Sequence, residues 1–251
     1  MMSRLACHLA AFALVVGAFV SPALAVTLPE QPASENGGDG TTRHVLALTW
    51  QPGFCLTRPT LAECVPEGQG AVSARLSLHG LWQVRKSYCG IDAELKRRDR
   101  SGRWSDLPEL VLAERTAKRL SVAMPGTASG LDRHQWLMNG TCHAATAEDY
   151  YGRSLDFLDT VNGSAVGAFF AAHAGETVRM ADVAAAFDSA FGKGAGERIR
   201  LRCRPVDGQS VVTGLTIGLS AADGDLRSLI QGASVTTSEC DAGLLAPADD
   251  R

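Results

Sequence analysis

Six cysteines, Cys55, Cys64, Cys89, Cys142, Cys203 and Cys240, follow an N-terminal segment with the composition of an export leader. An even set in an exported chain acts as a disulfide framework and limits the folds open to it, with 15 pairings allowed by counting alone. No Cys-x-x-Cys pair occurs, which argues against a zinc ribbon or a redox motif. The leader has a positive start at Arg4, an apolar run from Leu9 to Val20, and a small-x-small cleavage site at Ala23-Leu24-Ala25. That run is shorter than the roughly 20 residues a membrane-spanning helix needs, so the leader reads as a signal peptide and not an anchor. Cys7 precedes the apolar run and is expected to leave with it.

The expected layout is a signal peptide over 1–25, a flexible polar leader over 26–43, one domain over 44–242 and a flexible tail over 243–251. No later run suits a membrane, and the mature chain is expected to be a monomer, periplasmic or secreted. The formal net charge is −3, and removal of Arg4 makes it more acidic. Non-specific duplex binders are usually basic, so broad charge-driven binding is disfavoured. A small site that reads one or two nucleotides is compatible with this balance.

His44 to Trp50 reads as a buried strand, broken by Gln51-Pro52-Gly53. Ala74 to His79 alternates, with Leu76 and Leu78 on one side and Arg75, Ser77 and His79 on the other. Lys96 to Arg100, KRRDR, reads as a solvated loop or helix face. Helical periodicity covers Glu109–Met124, Ala147–Val161, Ser164–His173 and Met180–Phe191. Arg198–Cys203 and Val211–Ser220 read as strands. Separated strands and helices imply an α+β fold.

Two segments carry candidate chemistry. In LSLHGLWQ (Leu76–Gln83), His79 is a titratable ring at a strand end, Gly80 permits close backbone approach, and Trp82 offers a plate for base stacking. Taken alone, the segment is better read as a core tryptophan and a surface histidine. In RHQWLMNGTC (Arg133–Cys142), helical spacing pairs His134 with Met138 and Gln135 with Asn139. Only His134 of that group exchanges a proton near neutrality, and a structural amide cluster is the plain alternative.

Together these segments resemble the paired motifs of the ribonuclease T2 family, secreted endoribonucleases with little base preference. The first family motif is His-Gly-Leu-Trp-Pro and reads His79-Gly80-Leu81-Trp82-Gln83 here. The second, His-Glu-(Trp/Tyr)-x-Lys-His-Gly-(Thr/Ala)-Cys, reads His134-Gln135-Trp136-Leu137-Met138-Asn139-Gly140-Thr141-Cys142. Val45–Cys55, Asp149-Tyr150-Tyr151 and Ile199–Cys203 extend the similarity.

The resemblance implies a central antiparallel sheet flanked by helices, and transphosphorylation of single-stranded RNA without metal or cofactor. It assigns the leaving-group acid to His79, phosphate binding to His134 and base contact to Trp82. It also implies the pairing Cys55–Cys64, Cys89–Cys142 and Cys203–Cys240. The family's glutamate, lysine and second catalytic histidine are replaced by Gln135, Met138 and Asn139. Because Asn139 cannot accept a proton, endoribonuclease activity is expected to be impaired. The alternative is an inactive pseudoenzyme holding RNA, nucleotides or a protein partner. His143 is a remote substitute base, and His44 and His173 read as structural.

Overall fold

The computed structural model describes residues 40–65 and 74–248. The expected signal peptide with Cys7, the expected leader as far as residue 39 and the last three residues of the expected tail lie outside them. β1 (His44–Trp50) and β2 (Leu76–Gln83) pair antiparallel. β1 also pairs antiparallel with β5 (Gln209–Leu219), and β5 with β4 (Ile199–Val206). Two short strands, β3 (Thr177–Arg179) and β6 (Ala242–Leu244), complete a six-stranded sheet. The sheet is not wholly antiparallel as expected: β6 joins β5 in parallel through Val211 and Leu244.

Apolar residues of β1, β2, β4 and β5 face one side of the sheet. Leu46, Leu48, Trp50, Leu76, Leu78, Leu81, Leu201, Leu215 and Ile217 are all at most 2% exposed. α5 (Ala147–Asn162) shares that core through Tyr150, Tyr151, Leu155 and Leu158. Each such side chain stabilises the fold by about 1.5–3 kcal/mol on transfer from water. Thr146 caps α5 by accepting from the Asp149 N–H. The Tyr150 hydroxyl fixes α5 to β2, donating to the Leu81 carbonyl and accepting the Leu81 N–H, each at 3.0 Å.

The remaining helices are α1 (Gln51–Thr57), α2 (Ala93–Arg100), α3 (Glu114–Ala123), α4 (Leu131–Met138), α6 (Ala165–Ala172), α7 (Met180–Phe191) and α8 (Leu226–Gln231). The helix expected from Glu109 begins only at Glu114. Ala113 takes an extended conformation, and its N–H donates to the Glu148 carboxylate. The run Lys96–Arg100 lies on α2, but Asp99 within it is 1% exposed and not solvated.

The tail expected from residue 243 is also built into the fold as far as the described residues go. Leu245 and Ala246 are buried, and the Ala246 carbonyl accepts from the Trp50 indole at 2.9 Å. At the other end, Thr42, within the expected leader, exchanges hydrogen bonds with Ser234 and is tied to the domain before β1 begins. The disulfides are Cys55–Cys64, Cys89–Cys142 and Cys203–Cys240.

Candidate active site on the open face of the sheet

Strict alternation would put His79 and Trp82, three residues apart, on opposite faces of β2. A β-bulge brings them together. Gly80 pairs with Ala47 while Leu78 pairs with Leu48, so His79 is the extra residue. Such an insertion re-aims the side chains beyond it. Both rings thereby line a groove of about 720 Å³ on the sheet's open face, with Thr49, Phe54, Leu56 and Arg202. They meet edge to face with centroids 5.8 Å apart.

His79 is half-buried, and Thr49 Oγ1 lies 3.5 Å from its Nδ1, too far to hold the ring firmly. Burial, then the charges of His134 and Arg202, push its pKa down to about 4. At neutral pH this imidazole is therefore uncharged and accepts protons more readily than it gives them. Arg202, on β4, supplies positive charge beside it, and Glu239 lies 3.5 Å from its guanidinium.

Behind the groove, Gln135 is 3% exposed and Asn139 5% exposed. Gln135 Oε1 accepts two hydrogen bonds, each 2.9 Å, from Trp82 Nε1 and Asn139 Nδ2. The i, i+4 pair thus forms, but as a buried brace against the indole. Gly80 makes room for it: a Cβ there would sit 2.3 Å from Gln135 Oε1 and 3.0 Å from Trp82 Nε1. α4 ends at Met138, and Asn139 turns the chain into a 3₁₀ turn through Gly140–Cys142. Met138 lines neither this groove nor the cleft that adjoins it; its carbonyl accepts the Tyr88 N–H at 2.9 Å.

His134 lies apart from the groove lining, although its charge reaches His79. Its Nδ1 is held by Asp99, 2.8 and 3.0 Å from the two carboxylate oxygens. Its ring stacks on Trp104, centroids 4.2 Å apart and planes 13° from parallel. The Tyr88 hydroxyl donates to Asp99 at 2.5 Å, and burial and then Asp99 push that phenol up to about 12, keeping it a donor. With Nδ1 occupied, Nε2 is the nitrogen left for other partners.

Asp99 was missed in the sequence because its neighbours form a charged run. Its position four before Arg103-Trp104 carries no pattern that marks a histidine partner. The Cys89–Cys142 disulfide joins the chain after β2 to the end of the second motif. His143 does not reach the groove. It is packed edge to face against His44 and Tyr150, its Nδ1 has no hydrogen-bond partner, and burial and then His44 push it down to about 4. Among the described residues, no three His, Cys, Asp or Glu side chains are grouped to hold a metal ion.

Residues 42–228 match the sequence profile described as the Ribonuclease T2 family. Ribonuclease I of Escherichia coli (strain K12) is 31% identical over 186 residues, which is 64% of this chain and 69% of that protein. A crystal structure of an RNase MC1 variant aligns with a TM-score of 0.50 at 16% identity, over 81% of this chain and 100% of that one. The self-incompatibility-associated RNase of Nicotiana alata gives 0.49 at 16% identity, over 82% and 99%.

Proposed function

The chain belongs to the ribonuclease T2 family, and from that premise we propose that it binds single-stranded RNA in the His79–Trp82 groove and cleaves it slowly. The reaction is transphosphorylation: the ribose 2′-oxygen bonds to phosphorus, the bond to the 5′-oxygen breaks, and a 2′,3′-cyclic phosphate remains. His79, to which the family resemblance gives the leaving-group acid, is neutral above about pH 4 and in this reading takes the 2′ proton instead. The His79 imidazolium so formed, or solvent, returns a proton to the leaving 5′-oxygen, while His134, held by Asp99 outside the groove lining, acts on His79 through its charge. Arg202 steadies the charge that develops on the phosphorane. DNA lacks the 2′-hydroxyl and is bound without reaction.

Cleavage is slow because Gln135 and Asn139 form a buried amide pair. Where the family motif has glutamate and histidine, two neutral amides bond each other, and neither exchanges a proton. Loss of one of the two acid–base groups costs about 10²–10⁴ in rate. The missing lysine charge, with Met138 in its place, costs up to about 10²–10³ more. Because such groups act as a unit, the two factors do not simply multiply.

The same amide pair favours a second reading, a protein that only binds in this groove. Digestion of a single-stranded RNA from pH 4 to 8, with the product tested for a 2′,3′-cyclic end, decides between them. Cyclic-phosphate formation that His79→Ala abolishes supports the first reading. No cleavage, with RNA binding that Trp82→Ala removes, replaces it with the second. The three disulfides fit work in an oxidising, exported setting, and no described helix is long and apolar enough to cross a membrane.

A further inference from the structure

The groove that holds His79 is not the whole of the open face. Trp82 and Arg202 also line an adjoining cleft of about 900 Å³, so the two spaces meet at these side chains. Arg43, Arg85 and Arg200 line this second cleft. All three are exposed, and among the described residues none is ion-paired with a carboxylate. Arg198, also in the lining, is different: it is buried and donates to the Ala233 and Gly194 carbonyls.

Three cations without a carboxylate partner around one cleft, of which Arg200 donates to the Thr236 hydroxyl, stand out in a chain whose net charge is −3. Their placement follows from the fold. The Val84 N–H donates to the Arg43 carbonyl at 2.9 Å, which sets Arg43 and Arg85 side by side at the end of β1 and β2. Arg200 stands across the sheet. It pairs with Thr216, which pairs with Ala47, which pairs with Gly80. Three strand spacings put it about 14 Å from β2. The lining between includes Val45 of β1 and the small residues Thr216 and Gly218 of β5. Val84 and Val235, two of the exposed large apolar residues, stand on its lips.

Cations on two sides of a shallow floor, with apolar lips, match a chain of alternating phosphates and bases. We propose that this second cleft is a phosphodiester track, in which Arg43, Arg85 and Arg200 hold the backbone of a single strand running on from the Trp82 groove. The proposal rests on the reading of that groove as an RNA site and adds the reach of the site: several nucleotides, held by charge and without regard to sequence. Because the track reads phosphate and not the 2′-hydroxyl, it takes single-stranded DNA equally well.

DNA is therefore the probe, since it cannot react. Fluorescent oligodeoxythymidylate of two and of about eight nucleotides is titrated with the full protein over a range of salt. Each phosphate neutralised on a single strand contributes about −0.7 to the slope of log K against log salt. The octamer is expected to bind more tightly than the dimer, with a slope about 2 units shallower when Arg43, Arg85 and Arg200 are all changed to alanine. Arg115→Ala, on α3 and in neither cleft, serves as the control for a general loss of positive charge. The three single variants, each expected to lose about a third of the effect, cover the case of a triple variant that does not fold.

If the octamer binds no better than the dimer, or Arg115→Ala lowers the slope as much as each track variant does, the track is wrong. If RNA is bound and cleaved while the arginine variants leave the slope unchanged, the track alone fails. If DNA follows the arginines while RNA stays intact, the track stands and the slow-cleavage reading falls.

Discussion

Changing Gln135 to glutamate and Asn139 to histidine, singly and together, probes the reason the two amides occur as a pair. Gln135 Oε1 already has two N–H donors at 2.9 Å, and both side chains are at most 5% exposed. Gln135→Glu alone places a carboxylate among neutral donors, with no cation in contact. Leaving such a charge uncompensated costs about 3–5 kcal/mol, less the part that the indole and Asn139 N–H groups repay. Asn139→His alone keeps a donor toward Oε1 but forces a larger ring into a packed site, at about 1–3 kcal/mol.

In the double variant an imidazolium can face the carboxylate, so the cost is expected to fall short of the sum by about 1–3 kcal/mol. Urea unfolding of the four proteins at neutral pH measures this coupling. Cyclic-phosphate formation is expected to rise about 10²–10⁴-fold in the double variant and in neither single one. Costs that add within about 0.5 kcal/mol would refute the reasoning, because the two side chains would then be independent.

Three further outcomes are expected. Asp99→Asn leaves His134 stacked on Trp104 but without its carboxylate; unfolding free energy should fall by about 3 kcal/mol and the pH–rate profile should change, whereas a purely structural aspartate would leave the profile in place. Gly80→Ala drives a Cβ into Gln135 and the Trp82 indole; a loss of about 1–3 kcal/mol with altered tryptophan fluorescence is expected, and an unchanged protein would mean that the brace is not tight. His79 and His143 are both pushed down to about 4, so the unfolded chain binds more protons between pH 6.5 and 4 and stability must fall as pH drops through that window. Each ring contributes at most about 3 kcal/mol, and His143→Gln should flatten the pH dependence measured by urea unfolding at pH 7, 5 and 4.

The core strands were readable because burial on one face imposes alternation, and four of the helices because their apolar stripes recur at helical spacing. Pattern failed where partners are distant in sequence. The bulge at His79 arises from a mismatch between β1 and β2, and Gly80 alone does not announce it. Asp99 looked solvated because Lys96, Arg97, Arg98 and Arg100 surround it, and only the tertiary contact with His134 on α4 shows why it is buried. β6 has three residues and joins β5 by a single pairing, so its segment had no periodicity to detect. The arginines of the second cleft come from three separate stretches, and whole-chain charge hid their clustering.

The Cys89–Cys142 bridge closes a sequence separation of 53 residues that contains α2, α3, α4 and therefore both Asp99 and His134, while His79 lies outside it. By loop-closure entropy such a crosslink stabilises the fold by about 4 kcal/mol. Under reducing conditions the half of the site that holds Asp99 and His134 would lose that support, whereas His79, outside the bridged loop, would keep its place in the sheet.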